Sequence, residues 1–346
     1  MSTKVSVVIV NWNTRDLLDQ TLSTLHSQTT GVAFETIVVD NGSTDGSAAL
    51  VRDHWPRIDL VALPENRGFA AANNIGFARA SGEYVLLLNS DTIVLPTTVR
   101  GLVDLLDRTP EAVCAGARHL NADGSLQRSV DDFPTLANDF LSYTELHRAR
   151  LLQRWLRHRF AWWGAHDQVR TVGWVNGACM MVRRQVIETI GGLDEGFFIY
   201  AEEVDWCFRM WQAGGQVYFT PEAEVIHLGG QAMNNAAHRR ITLKYLGQMR
   251  FYRKHYSKAR QLALRSILAG NALVRLGLLV AFGMAGWLGM RPTDRVWQLV
   301  TQEPVRTSTA TMLKAWWRIL LLRPEPRAGL DTASQPRPST LPAAGG

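Results

Sequence analysis

Hydrophobic and polar positions along the chain fall into two regimes. Up to about residue 95, short uninterrupted apolar runs alternate with stretches whose apolar residues recur three and four apart. Lys4–Val10 (KVSVVIV), Phe34–Val39, Ile58–Leu63 and Val85–Leu88 read as strands buried on both faces, as in a parallel sheet. Between them, Arg15–Gln28 sets Leu17, Leu18, Leu22 and Leu25 on one helical face, with Asn13 or Thr14 placed to cap it. A second helix follows the Gly/Ser turn 41–47 and runs to about His54; a third, rich in small residues, spans Ala70–Ala80 and stops at Gly82. This β-α-β-α-β-α-β rhythm predicts an α/β fold with a doubly wound, mostly parallel sheet and right-handed crossovers.

The second regime is less regular. Asn121–Leu126 reads as a hairpin turn, Val172–Val182 as a strand around Asn176-Gly177-Ala178, Gln216–Phe219 as a short strand, and Val225–His227 as the end of another segment. Leu146–Trp163 is basic with interleaved Leu, Trp and Phe; a membrane-surface helix, a nucleic-acid contact and a solvated helix packed on the domain all stay open there. Residues 231–265 are helical in pattern and strongly basic. Ile267–Met290 is apolar but broken by Asn271 and Arg275, leaving a clean run, Leu276–Met290, shorter than the roughly 20 residues that span a bilayer. An amphipathic piece, Met312–Leu322, follows, and the Pro/Ala/Gly/Ser-rich stretch from Arg323 is expected to be disordered. The expected organisation is a domain over 1–230, its halves meeting near 118, a helical region 231–322 and a tail 323–346.

Charge sharpens this division. The net +6 of the 346 residues conceals 10 Lys+Arg against 17 Asp+Glu in residues 1–140, and 27 against 14 thereafter; no carboxylate occurs between Glu224 and Asp294. A basic, partly apolar C-terminal region suits an anionic surface. Three scattered cysteines, with no CxxC pair, argue against a zinc site or a disulfide framework and fit a reducing compartment. The first apolar run is short, as expected of a first strand and not a signal peptide.

Candidate chemistry gathers at strand ends. Asn11, Asp40 and Asp91 each lie where a buried strand surfaces, the edge at which α/β sheets bind ligands. Asp40 is suited to accept a proton from a base imide or ribose hydroxyl, and Asp91 offers a hard oxygen to Mg²⁺ or Mn²⁺ bridging a diphosphate. No glycine fingerprint follows the first strand and no Walker lysine loop is present, which weakens dehydrogenase and P-loop readings. A second acidic cluster, Glu202, Glu203 and Asp205, sits among aromatics at a helix start; it either complements the helix dipole or is desolvated enough to act as a base. His227 follows it, as a core histidine or a metal ligand.

Taken together, VSVVIVNWN at 5–13, VVDNGSTDGS at 38–47, ENRGFAAANNIG at 65–76, LLLNSDT at 86–92, GWVNGACMMVRR at 173–184, GGLDEGFFIYAEEVDWCFR at 191–209 and EVIHLGG at 224–230 resemble the family-2 glycosyltransferases of GT-A fold, in particular their bacterial rhamnosyltransferase-like branch. The resemblance implies inverting transfer of a sugar from a nucleoside diphosphate sugar to an acceptor hydroxyl. It implies donor contacts from Asn11, Asp40, Asn66, Asn74, Asn89 and Asp91, a Mg²⁺ or Mn²⁺ held by Asp91 and His227, a general base at Glu203, and Glu202 and Asp205 on the acceptor side. Trp174, Asn176 and Gly177 are expected to line the acceptor. Two departures stand out: Asn89 replaces the first Asp of the metal element, and Glu203 stands where Asp is commoner.

The donor expected is a dTDP- or UDP-sugar, with rhamnose the first choice, and the acceptor a cell-envelope glycan or a lipid-linked one. The basic and apolar C-terminal region fits a cytoplasmic enzyme lying peripherally on the membrane's inner face, or else a helical hairpin packed on the catalytic domain or on a second copy in a homodimer. The alternative function is a non-catalytic nucleotide-sugar-binding scaffold subunit. A nucleotidyltransferase lacks its phosphate loop near residue 10, and nucleic-acid binding leaves the acidic strand ends unexplained.

Overall fold

The computed structural model describes residues 3–144, 166–229, 237–287 and 309–321; the basic segment Leu146–Trp163 and the tail 323–346 lie outside them. Val5–Asn11 (β1), Phe34–Asp40 (β2), Asp59–Ala62 (β3) and Tyr84–Asn89 (β4) pair in parallel in the order β3-β2-β1-β4. Val5, Val7, Val8 and Ile9 are fully buried, as their continuous apolar run requires. Register sets Asn11 opposite Asp40 and Val10 opposite Asn89, so three strands surface together at one edge. Arg15–Gln28 (α1), Ser47–His54 (α2) and Phe69–Phe77 (α3) are the crossovers. Thr14 precedes α1 but does not cap it: its Oγ1 donates to Asn11 Oδ1 (2.7 Å) and lies 2.8 Å from Ser90 Oγ, tying two strand ends instead.

The sheet continues as β4-β11-β6-β12-β5. Its remaining elements, in chain order, are Thr92–Val94 (β5), Thr98–Arg108 (α4), Ala112–Leu120 (β6), Leu126–Gln127 (β7), Val130–Asp131 (β8), Leu136–Thr144 (α5), Arg170–Thr171 (β9), Trp174–Val175 (β10), Cys179–Arg183 (β11), Arg184–Ile190 (α6), Glu202–Gln212 (α7) and Gln216–His227 (β12). The single strand expected over Val172–Val182 is two, because Asn176 Oδ1 accepts from the Ala178 amide (2.9 Å) and turns the chain. The two segments expected at 216–219 and 225–227 are one strand. Its ladder with β6 shifts between Thr220 and Glu224, where Pro221 cannot donate, so the proline marks an irregularity and not a stop. Two cores cover the sheet's faces, one under α1, α2 and α4, the other under α3 and α7. The three cysteines are buried and unpaired.

Beyond β12, Ala237–His255 (α8), Lys258–Trp287 (α9) and Thr309–Leu321 (α10) share a third core with Phe197 and Val204 beside and within α7, centred on the fully buried Phe251 and Trp316. Asp139 of α5 adds a polar anchor, accepting from Tyr252 Oη (2.5 Å) and Gln248 Nε2 (3.0 Å). The polar breaks in the apolar run are internal bonds, which is why α9 outlasts the clean run seen in the sequence. Asn271 Nδ2 donates to Tyr245 Oη (2.8 Å), and buried Arg275 donates to Asn271 Oδ1 (3.0 Å) and the Tyr143 carbonyl (2.9 Å). Among the described residues α9 alone is long and apolar enough to cross a membrane, over Lys258–Ala281; a third of its most apolar window is buried against protein.

Candidate active site

Because β1, β2 and β4 end together, their terminal side chains meet. Asn11 Nδ2 donates to Asp40 Oδ2 (3.0 Å) and to Ser43 Oγ (3.2 Å), while Asp40 Oδ1 accepts from the Ser43 amide (3.0 Å). This couples the Gly/Ser loop to the sheet edge. Asn66 lies across that loop, its Oδ1 accepting from Asn41 Nδ2 (3.0 Å) and the Gly68 amide (2.9 Å). Gly42 has a positive φ of 76°, and any Cβ there would run into the Glu65–Asn66 backbone. Asn74, expected on the donor, has its amide committed elsewhere: it brackets Leu193 through both backbone groups (2.8 and 2.9 Å) and reaches Glu195 Oε1 (3.1 Å). It is what holds the 191–196 loop against α3.

Asn89, Asp91 and His227 converge at the same edge, since β12 pairs with β5 so that His227 faces Thr92. His227 Nε2 lies 3.3 Å from Asp91 Oδ1 and 3.4 Å from Asn89 Nδ2. A carboxylate oxygen and an imidazole nitrogen around one point suit Mg²⁺ or Mn²⁺, while the Asn89 carboxamide beside them turns its Nδ2 towards His227. No group of three His, Cys, Asp or Glu gathers among the described residues, so an ion there must complete its shell from substrate oxygens and water. His119 of β6 forms a wall of this point. Its ring meets that of His227 edge-on at 5.6 Å, and burial, with His227 alongside, pushes its pKa down to about 3 and keeps it neutral.

The second acidic cluster starts α7 and divides by role. Tyr200 and Ala201 precede it with φ of 74° and 70°, two consecutive left-handed residues that are not glycine. Glu202 is buried, and desolvation and then Glu203 raise its pKa well above the ordinary carboxylate value. Desolvation raises Glu203 to about 7, opposed by the amides of the helix start and by Lys244 of α8. Glu202 Oε2 and Glu203 Oε2 find no hydrogen-bond partner among the described residues. A Cβ built on Gly177 would lie 3.8 Å from Glu203 Cβ and 3.7 Å from Phe69, so the 176–178 bend faces the base candidate. Trp174 is half-buried and donates its indole N–H to the Asp132 carbonyl (3.0 Å).

Asp205, expected on the acceptor side, has its carboxylate committed to cations. It is fully buried and accepts from Arg209 Nε (2.9 Å), Lys254 Nζ (2.9 Å) and His255 Nε2 (2.7 Å), the last two on α8. Asp194 adds Lys254 (2.9 Å) and Arg250 (3.0 Å). Helix α8 thereby becomes part of the site: Leu243 packs on Trp12 beside Asn11, and Lys244 Nζ lies 5.5 Å from the Tyr200 ring centroid. Sequence reading missed His119, Lys244 and Gln127, whose Oε1 lies 2.7 Å from His227 Nδ1. The turn at 121–126 was the available signal for Gln127, and the basic run for Lys244; nothing marked His119.

The family model for glycosyl transferase family 2 matches residues 6–191. The N-acetylglucosaminyl-diphospho-decaprenol L-rhamnosyltransferase of Mycobacterium tuberculosis is 29% identical over 303 residues, covering 81% of this chain and 94% of that protein. Rhamnosyltransferase WbbL of Escherichia coli is 24% identical over 232 residues, 64% of this chain and 83% of that one. Among solved structures, mannosyltransferase PcManGT of Pyrobaculum calidifontis, in complex with GDP-Man and Mn²⁺, superposes with a TM-score of 0.54 at 16% identity over 94% of this chain and 89% of that one, a likeness of GT-A fold.

Proposed function

The chain belongs to glycosyltransferase family 2 and is a rhamnosyltransferase-like glycosyltransferase of GT-A fold; from that premise we propose an inverting, metal-assisted transfer of rhamnose from a nucleoside diphosphate donor to a hydroxyl of a lipid-linked envelope glycan. The observation that carries the reading is Glu203, a carboxyl raised to about 7 that faces Gly177, in the bend whose Ala178 carbonyl accepts from the Asn89 amide at the end of β4 (3.0 Å). At that value it is ionised often enough to accept a proton and basic enough to take one. Its carboxylate takes the acceptor hydroxyl proton, the acceptor oxygen bonds to the sugar's anomeric carbon, and the bond from that carbon to the diphosphate breaks on the opposite face. One displacement inverts the centre. Asn11 and Asp40 hold the base and ribose, with Asn66 shaping their loop, and the 176–178 bend with Trp174 receives the acceptor. Asp91 and His227, with Asn89 beside them, would hold Mg²⁺ or Mn²⁺; when bound it supplies positive charge to the departing diphosphate.

The relative that acts on a decaprenyl diphosphate sugar supports a lipid-linked acceptor. So does the outer face of α9, where Leu273, Val274, Leu278, Val280 and Met284 are exposed. Near its first turn, Arg253, Lys258 and Arg265 line a cavity of ≈ 310 Å³ in a region without carboxylates, as suits a protein resting peripherally on anionic lipid at the cytoplasmic membrane face. The deciding experiment is a turnover screen with dTDP-, UDP- and GDP-sugars against a prenyl-diphosphate-linked sugar, each with Mn²⁺, Mg²⁺ or EDTA. Metal-dependent turnover with dTDP-rhamnose is expected. Transfer that persists unchanged in EDTA, or that requires another donor, overturns the corresponding part of the reading.

A further inference from the structure

The hairpin between β6 and β7 fixes hydrogens around His227 through an unbroken chain of donors and acceptors. Asn121 Nδ2 donates to Ser125 Oγ (2.9 Å) and, at 3.5 Å, to the Leu126 carbonyl, which leaves Asn121 Oδ1 as an acceptor. That oxygen takes Gln127 Nε2 (2.9 Å), and the same Nε2 donates to the His227 carbonyl (2.9 Å). Both amide protons are then spent. Gln127 Oε1 faces His227 Nδ1 at 2.7 Å, and an amide oxygen only accepts, so Nδ1 carries the proton. Turning the amide over would set its oxygen against two other oxygens and lose both bonds. In a neutral imidazole with Nδ1–H, Nε2 presents a lone pair. On the other side Nε2 lies between Asn89 Nδ2 (3.4 Å), a donor, and Asp91 Oδ1 (3.3 Å), an acceptor, so the tautomer is chosen at Nδ1, by the 2.7 Å contact with Gln127 Oε1.

We propose that Gln127, oriented by Asn121, is a positioning residue that locks His227 in the Nδ1–H tautomer and aims its Nε2 lone pair at the point shared with Asp91, preparing it for a divalent cation bound with the donor diphosphate. The register that delivers Gln127 is structural: β7 pairs with β6 so that Gln127 lies opposite His119, whose other ladder partner on β12 is Val225, two residues before His227. A ligating histidine held this way neither rotates its ring nor exchanges tautomers before the cation arrives, which is how hydrogen-bonded partners behind a metal ligand strengthen binding. The inference rests on the metal-assisted reading of this site, and two measurements on the full-length protein separate the two.

The first needs no metal. Nitrogen-15 spectra of the histidine-labelled protein, with His227 assigned from the His227→Gln spectrum, read the tautomer directly at a pH where the ring is neutral. Wild type should show Nδ1–H. Gln127→Leu should show the Nε2–H form that an unrestrained imidazole prefers in water, and Gln127→Glu, which keeps an acceptor towards Nδ1 while giving up the donations to Asn121 Oδ1 and the His227 carbonyl, should retain Nδ1–H. The second is Mn²⁺ titration by electron paramagnetic resonance with dTDP or UDP present. Gln127→Leu should weaken Mn²⁺ about 10–100-fold and Gln127→Glu only a few-fold, with thermal melts confirming that both variants fold. Should a variant not fold, Asn121→Leu, which frees the Gln127 amide without removing it, should shift the tautomer the same way. Wild-type Nε2–H, or unchanged Mn²⁺ affinity in folded Gln127→Leu, overturns the proposal. Failure of wild type to bind Mn²⁺ or Mg²⁺ with any nucleoside diphosphate overturns the metal reading itself and leaves the tautomer to be judged by the spectra alone.

Discussion

Glu203 carries two consequences of a single burial. Catalytically its base form gains as pH rises through about 7, so transfer should climb over that range, and Glu203→Gln should lower kcat about 10²–10⁴-fold while leaving donor binding intact. Thermodynamically the sign is reversed. Its folded pKa lies above the ordinary 4.5, so between 4.5 and about 7 the folded chain keeps a proton that the unfolded chain has released, and stability falls as pH rises through that window. Glu203→Gln should therefore stabilise the fold at pH 8, by an amount on the order of 3 kcal/mol that raises the melting temperature there, and leave it nearly unchanged at pH 4. Equal melting temperatures at pH 8 would refute the burial argument. This residue was legible in the sequence because an acid pair among Phe, Tyr and Trp at a helix start is rare enough to notice. His119 was not: its role comes from ladder register with β12, and a lone buried histidine on a strand has no pattern of its own.

At the scale of elements, α8 is the surprise. The sequence showed a basic helix, and charge periodicity alone suggests solvent or lipid. The cations of its last turns instead face inward to Asp194 and Asp205, long side chains closing over two acids on either side of the start of α7. Gly247 lets that helix close on Tyr200; a Cβ there would meet the Tyr200 carbonyl far inside van der Waals contact. Gly247→Ala should cost about 1–3 kcal/mol in urea denaturation and lower kcat, because it presses on the left-handed pair that sets Glu203. Wild-type stability and rate together would mean that α8 is not seated on this loop. Asp194 is held down to about 2, first against desolvation and chiefly by Lys254, so its contribution is complete above 3.8 and is lost as pH falls towards 2. Strand boundaries were harder to read than helix faces: Pro221 and Asn176 punctuate the chain in ways that turned out to be a bulge and a bend.

For the whole molecule, the division of charge between the halves is also one of place: Asp40 and Asp91 stand at the sheet edge, while the sequence from 225 to 293 carries no carboxylate and α9 has an apolar outer face. Co-sedimentation should show binding to phosphatidylglycerol vesicles, little to phosphatidylcholine, and loss of binding at high salt. Leu273→Glu with Leu278→Glu should abolish it while soluble-acceptor turnover persists. Vesicle binding unchanged in that variant would place the membrane contact elsewhere. The fold of residues 5–89 was legible because each strand and helix there announces its period; the short elements of 126–190 announce none, and the union of α8–α10 with α7 depends on aromatic packing across sequence distances that no periodicity reports. That union has a consequence in time. Trp12, near the start of the chain, packs with Leu243 of α8, so a growing chain can build the edge where β1, β2 and β4 end long before α8 leaves the ribosome. Nascent chains stalled with only residues up to 236 emerged should bind nucleotide and transfer nothing; sugar transfer by such chains would show that the late helix is dispensable. Nucleotide binding without transfer would mean that the order in which the chain appears delays sugar transfer until α8 has joined the fold.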